Sequence, residues 1–359
     1  MRFLGKFGVF IFATFISSTI SSAQSPVTTN GTLIVLNKSD ASASIISLKN
    51  NQTLVTIPTG DGPHEAAVTP DGKTAVVTNY GSRETPGSTL TVIDLSQLKV
   101  SRTIDLGDYH KPHGLIFLPG GNELLVTAEA EKALLVIDLE SGTVEKAILT
   151  GQEVSHMVAF APAVNLAFVA NIRSGSVNVI DVKKSASIKI IETGAGAEGI
   201  DVSPDGKEVW VSNRADDSVS IINIRSLKVV HTLESKSFPI RVKFTPDGKF
   251  ALVSNGRSGD VAVFDTKARQ EIRRIPMKLK AKEGTEIRLF SNQFGDSPVP
   301  VGIFIHPDGE FAYIANTNAD IVTVIDLSSW EIVNRLKTGR EPDGLGFTPL
   351  NLEKTTSKN

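Results

Sequence analysis

Six residues before the proline of each recurrent turn stand, in chain order, His64, His113, His156, Glu198, Ile240, Val301 and Asp343. Neutral imidazoles are ligands for zinc, copper, iron or manganese, and flanking carboxylates can complete such a site or take a proton from water. His64, His113 and His156 are therefore the candidate metal ligands, and Glu198 and Asp343 the candidate catalytic bases. The competing reading is structural: histidines at this place pin a loop by hydrogen bonding. A second set is basic. Arg83, Arg173, Arg214 and Arg257 each follow the end of an apolar stretch, and Arg241 stands beside Ile240. Converging guanidinium groups would suit a carboxylate or phosphate. Alternatively they pair with Glu84, Asp216, Asp217 and Asp260 on the surface. Glu129 and Glu131 read as solvated loop residues, and His110 as a supporting partner of the ring; His231 and His306 read as incidental.

These side chains act together only if the chain gathers them, and its repeats say how. An apolar stretch closes on one short signature at Ser47, Asp94, Asp138, Asp181, Asn223, Asp265 and Asp326, at intervals of 47, 44, 43, 42, 42 and 61 residues. A four-stranded blade needs about 43 residues and cannot bury its own faces alone. Seven such units in a ring give each blade two neighbours. The expected fold is all-β, a seven-bladed β-propeller of four-stranded antiparallel blades. Pro-Asp-Gly turns at Pro70, Pro204, Pro246 and Pro307 join first to second strands, with proline presetting φ and glycine supplying positive φ. Residues 343–349 match a first strand without successors, and three strands near Thr32, Ser44 and Thr53 lack a first one. The two ends should build one composite blade and close the ring. The first strand lies innermost, so the seven positions should face the central channel at one level.

Gly62 to Tyr80, reading GPHEAAVTPDGKTAVVTNY, is followed by LTVIDL, and related endings recur as FVAN at Asn171, WVSN at Asn213, LVSN at Asn255 and YIAN at Asn316. This pattern resembles the YVTN family of seven-bladed β-propellers over roughly residues 31–349. The resemblance implies an exported setting, periplasmic, secreted or in a surface layer, and few assigned activities.

The first residues suit an export signal: Arg2 and Lys6, an apolar run from Phe7 to Ile16, and a small-residue cleavage pattern ending at Ala23. We expect 1–23 as a signal peptide, 24–349 as one propeller domain and 350–359 as a flexible tail, with no membrane span after cleavage. Cysteine is absent, which excludes disulfides, a thiolate metal site and covalent haem c. A formal charge of −2 gives no footprint for nucleic acid. Only Trp210 and Trp330 are present, against a quinone stacked on tryptophan. The longest interval leaves about 19 extra residues, Lys278 to Ser297, long enough for a lid over the channel mouth. Three functions stay open: a site for an anionic small molecule or divalent transition metal, a metal-assisted lactonase-like hydrolase or lyase, and a scaffold or surface-layer module binding a protein partner.

Overall fold

A computed structural model describes residues 27–82, 84–280, 288, 290 and 293–354. The expected signal peptide, Arg83, Lys282, Leu289 and residues 355–359 lie outside the described residues. Seven four-stranded antiparallel sheets form, each ordered from first to fourth strand. The first strands of blades 1 to 7 are Pro63–Val68, Pro112–Phe117, Ser155–Ala161, Ala197–Val202, Pro239–Phe244, Pro300–Ile305 and Pro342–Thr348. Blade 7 is composite as expected, Pro342–Thr348 pairing with the N-terminal Thr32–Asn37. No described helix is long and apolar enough to cross a membrane.

Both faces of the second and third strands are buried, so they read as continuous apolar runs. Alternation still decides which neighbour each side chain meets. Val209 and Val211 pack toward blade 3, whereas Trp210 between them packs against Val242, Phe244 and Phe264 of blade 5. One such cluster fills each of the seven gaps between blades. Fourth strands are mostly exposed, yet each buries one aliphatic residue, such as Ile57, Ile104 and Leu336. Leu350 to Leu352, expected to begin a loose tail, are instead tied to the N-terminal strand. Thr32 donates to the Leu350 carbonyl at 2.8 Å, Gly31 N–H donates to Asn351 at 2.7 Å, and Leu352 packs between blades 7 and 1.

The repeated signature residues are turn caps. The carboxylate closing the third strand accepts the backbone N–H three residues on, as Asp94 from Gln97 at 3.0 Å, Asp138 from Ser141 at 2.7 Å and Asp326 from Ser329 at 2.8 Å. Turn aspartates on the same face act alike, Asp247 accepting from Thr245 at 2.7 Å and from Lys249 N–H at 3.1 Å. These bonds favour the ionised form. They hold Asp71, Asp94, Asp138, Asp181, Asp205 and Asp326 below their ordinary value, and Asp247 at about 2, chiefly through its bond from Thr245.

A carboxylate with a depressed folded pKa contributes stability above its unfolded value, and the contribution is lost as pH falls through the folded one. The urea midpoint should therefore fall between about pH 4 and pH 2, and Asp247→Asn should flatten part of that fall. A midpoint independent of pH across this window would remove the capping role.

Candidate functional site

The second strand of a blade fixes the ring positions through one hydroxyl. Thr127 of blade 2 accepts the N–H of Gly114 in its own blade at 2.9 Å and donates to the His156 carbonyl of blade 3 at 2.7 Å. Thr78 bonds the His113 carbonyl at 2.9 Å, Ser212 that of Ile240 at 2.8 Å and Ser254 that of Val301 at 2.8 Å. A small residue after the ring position lets the next blade approach. A Cβ on Gly344 would stand 2.0 Å from the His64 carbonyl oxygen, so only glycine fits. Above this level the recurrent asparagine closes the loops: Asn79 accepts from Gly60 N–H at 3.1 Å and donates to Thr91 at 3.0 Å.

The result is a cavity of about 340 Å³ lined by all seven ring positions, His64, His113, His156, Glu198, Ile240, Val301 and Asp343. The imidazoles contact in sequence, His64 edge-on to His113 with centroids 4.6 Å apart and His113 tilted against His156 at 3.6 Å. Five of the ring residues are thus polar and buried, none more than 9% exposed. Burial needs compensation, and most of the polar atoms have it. His64 Nδ1 donates to the Gly62 carbonyl at 2.7 Å, leaving Nε2 as an acceptor. Among the described residues, two of these buried atoms have no partner: His113 Nδ1 and Asp343 Oδ1.

Glu129 corrects the sequence reading. It is not a solvated loop residue: it is buried, accepts from Tyr80 Oη at 2.6 Å, and is hydrogen-bonded to His156 Nδ1. Its neighbour Ala128 stands where most blades carry the loop-closing asparagine. That missing asparagine was the available signal. His113, Glu129 and His156 present ligand atoms all within 4.8 Å of one another. Two imidazoles and a carboxylate are a donor set suited to a zinc-like ion, and the unpartnered His113 nitrogen fits a lone pair aimed at one. His64 is in the cavity but outside this triad. Glu131, by contrast, pairs with His110 at 3.1 Å, both partly exposed.

Two more residues escaped the sequence reading. Lys38 lines the site with Arg241, and Glu65 reaches it through its ion pair with Arg241; Arg241 stands after a ring residue, where four blades have glycine. Arg241 is 4% exposed and reaches across the axis to Glu65 at 2.7 Å, with Glu198 at 3.4 Å. Arg214 holds the other oxygen of Glu198 at 2.6 Å, and Lys38 holds Asp343 at 3.3 Å. Of the remaining arginines, Arg173 and Arg257 are exposed and neither lines the cavity. Arg257 stacks instead on Phe238 and Phe294 at 5.2 and 5.4 Å. Arg83 lies outside the described residues. Among the described residues, only Arg214 and Arg241 of the expected set reach the site, and both are already paired.

Proton affinities follow these contacts. Burial, then the Lys38 charge, lowers His64 well below its ordinary value, and burial with His156 and His64 lowers His113 likewise. Burial also opposes the charge on His156, but Glu129 and then Glu198 outweigh it and raise its pKa. Burial pushes Glu198 up, yet Arg214, His156 and Arg241 hold it at about 2. Burial raises Glu65 against the pull of Arg241. The site holds neutral imidazoles beside one that binds a proton tightly.

Residues 278–280, 288, 290 and 293–297 are the described part of the insertion between the fourth strand of blade 5 and the first strand of blade 6. Arg288 forks onto Asp320 at 2.9 and 3.0 Å. Phe290 and Phe294 pack on Ile240, Val299 and Val301, and Phe290 and Gln293 line the cavity. The described part of the insertion therefore roofs one side of the site, as a lid would.

Fold and site together define a seven-bladed propeller with a buried histidine–carboxylate cavity on its axis. The chain belongs to the family described as "Lactonase, 7-bladed beta-propeller", whose pattern matches residues 35–290. No curated protein matches it. Among solved structures it is similar to Kuenenia stuttgartiensis hydrazine synthase, at 22% identity and TM-score 0.68, over 80% of this chain and 90% of that one. It is also similar to a functionally unknown protein from Desulfotomaculum acetoxidans DSM 771, at 15% identity and TM-score 0.71, over 89% of this chain and 99% of that one. At such identities these likenesses speak to the fold alone.

Removing one partner of a buried ion pair strands the others. Arg241→Met should cost about 3–5 kcal/mol in urea unfolding, because Glu65 and Glu198 lose their shared cation. Adding Glu65→Gln should recover part of that loss. An unchanged midpoint in Arg241→Met would mean the pairs are not formed in solution.

Proposed function

We propose that the axial cavity is the active site of a hydrolase that opens a cyclic ester, with a divalent metal ion held by His113, Glu129 and His156. The observation carrying this reading is the buried triad in one cavity with the unpartnered oxygen of Asp343. The lactonase family supports it, and the YVTN-like repeats are compatible with it. When bound, the ion would polarise the ester carbonyl and make a coordinated water more acidic. Everything else falls to side chains of the chain.

Asp343 is the better base of the two expected carboxylates. One of its oxygens is held by Lys38 and the other is free to accept a proton from water. Glu198, pinned at about 2 by Arg214 and His156, is a weak base and serves to orient His156. The proton for the departing alkoxide is the one Asp343 has taken from the water, because the proton His156 carries between Glu129 and Glu198 is gone once His156 holds the ion. An ion ligated by His156 must displace this proton, and ion binding and protonation then compete. His64, neutral and with Nε2 open, can accept a hydrogen bond from the water. Export, expected from residues 1–23, remains part of this proposal.

Elemental analysis of untagged protein prepared without chelator should find about one transition metal per chain, lost in His113→Ala and Glu129→Ala. Metal-loaded protein should hydrolyse simple lactones, and Asp343→Asn should lower kcat by about 10²-fold or more with the metal retained. Protein that stays free of metal after incubation with zinc, copper and manganese, and inert toward lactones, would overturn the reading and return attention to ligand binding or scaffolding.

A further inference from the structure

The cavity has two chemically different sides. Blades 7, 1, 2, 3 and 4 contribute Asp343, three histidines and Glu198, whereas blades 5 and 6 contribute Ile240 and Val301. Phe290 of the insertion lies over these aliphatic residues, stacked on Phe294 with ring centroids 5.5 Å apart. Phe294 in turn packs on Phe238 at 4.8 Å, and Arg214 lies over the Phe238 ring at 5.3 Å. The apolar wall is thus braced by the residue that holds Glu198. Charge adds a second constraint. The cations that line the cavity, Lys38, Arg214 and Arg241, are each already paired with Asp343, Glu198 or Glu65. Glu129 adds a further carboxylate, so before any ion binds, no Lys or Arg among the described lining residues is left unpaired for an anionic guest.

We propose that the wall formed by Ile240, Val301 and Phe290 is a binding subsite for an aliphatic or aromatic substituent, so the site takes an uncharged ring ester carrying such a group. This rests on the hydrolase reading for the ester ring and replaces an anion with a neutral, amphiphilic substrate class. The carbonyl end meets the histidines, and the substituent lies along blades 5 and 6. A volume of about 340 Å³ sits at the small end of ligand sites, which hold ~300–1,000 Å³. One ring and a short substituent fill it.

Calorimetry with lactams tests the subsite apart from hydrolysis, because a lactam resists the ring opening that an ester undergoes. The probes are 2-pyrrolidinone, its 5-butyl and 5-phenyl derivatives, and its 5-carboxylate. Affinity should rise about fourfold per methylene buried, the carboxylate should bind worst, and Phe290→Ala should flatten the series. Val301→Thr, which keeps the side chain's shape, should also weaken the butyl and phenyl compounds and covers the case in which Phe290→Ala disturbs the insertion. Equal affinity across the series, or preference for the carboxylate, would overturn the subsite. Graded lactam binding without hydrolysis of any lactone would leave the subsite standing and remove the hydrolase reading. Lactone hydrolysis indifferent to the substituent would remove the subsite alone.

Discussion

A single hydroxyl on the second strand holds the centre of this propeller together. Thr78, Thr127, Ser212 and Ser254 each reach the carbonyl of the next blade's ring residue. The apolar clusters between blades supply most of the burial, but hydrophobic packing is not directional. The hydroxyl bond is directional, and it fixes the backbone of the ring residues His113, His156, Ile240 and Val301 against the preceding blade. Glycine after the ring position in blades 2, 4, 6 and 7 permits the close approach this needs. Where glycine is replaced, Met157 packs between blades 3 and 4, whereas Glu65 and Arg241 enter the axis and bind each other across it. The device that closes the ring also places its chemistry.

Charge then decides what the cavity can hold. Lys38, Arg214 and Arg241 stand against Glu129, Glu198 and Asp343 of the lining and Glu65 beside it, and against the cost of burial it is Glu129 and then Glu198 that raise the pKa of His156. On the proposed reading, this balance suits a cation first and then a neutral molecule with a polarisable carbonyl. Of the arginines that in sequence suggest an anion site, Arg214 and Arg241 reach the cavity paired with Glu198 and Glu65. Their pairing turns the same residue list toward different chemistry.

Much of this was legible in the sequence, because repetition converts position into geometry. Seven signature copies gave the blade count, and counting back from turn prolines identified every ring residue that lines the cavity. The composite blade followed from strands missing at one end and present at the other. What stayed hidden depended on side-chain direction. Glu129 follows an alanine where asparagine recurs, and only the fold reveals that it turns inward toward His156 and Tyr80. Arg173 and Arg214 occupy similar places after their strands, yet only Arg214 finds Glu198. Glu65 and Arg241 are far apart in sequence, and their pairing arises only once seven blades have closed.

Anomalous diffraction from crystals soaked in a zinc or manganese salt tests the central claim most directly. The account predicts one ion bonded to imidazole nitrogens of His113 and His156 and an oxygen of Glu129, at about 2.0–2.2 Å for zinc. A cavity without an ion, with Glu129 still hydrogen-bonded to His156, would contradict it.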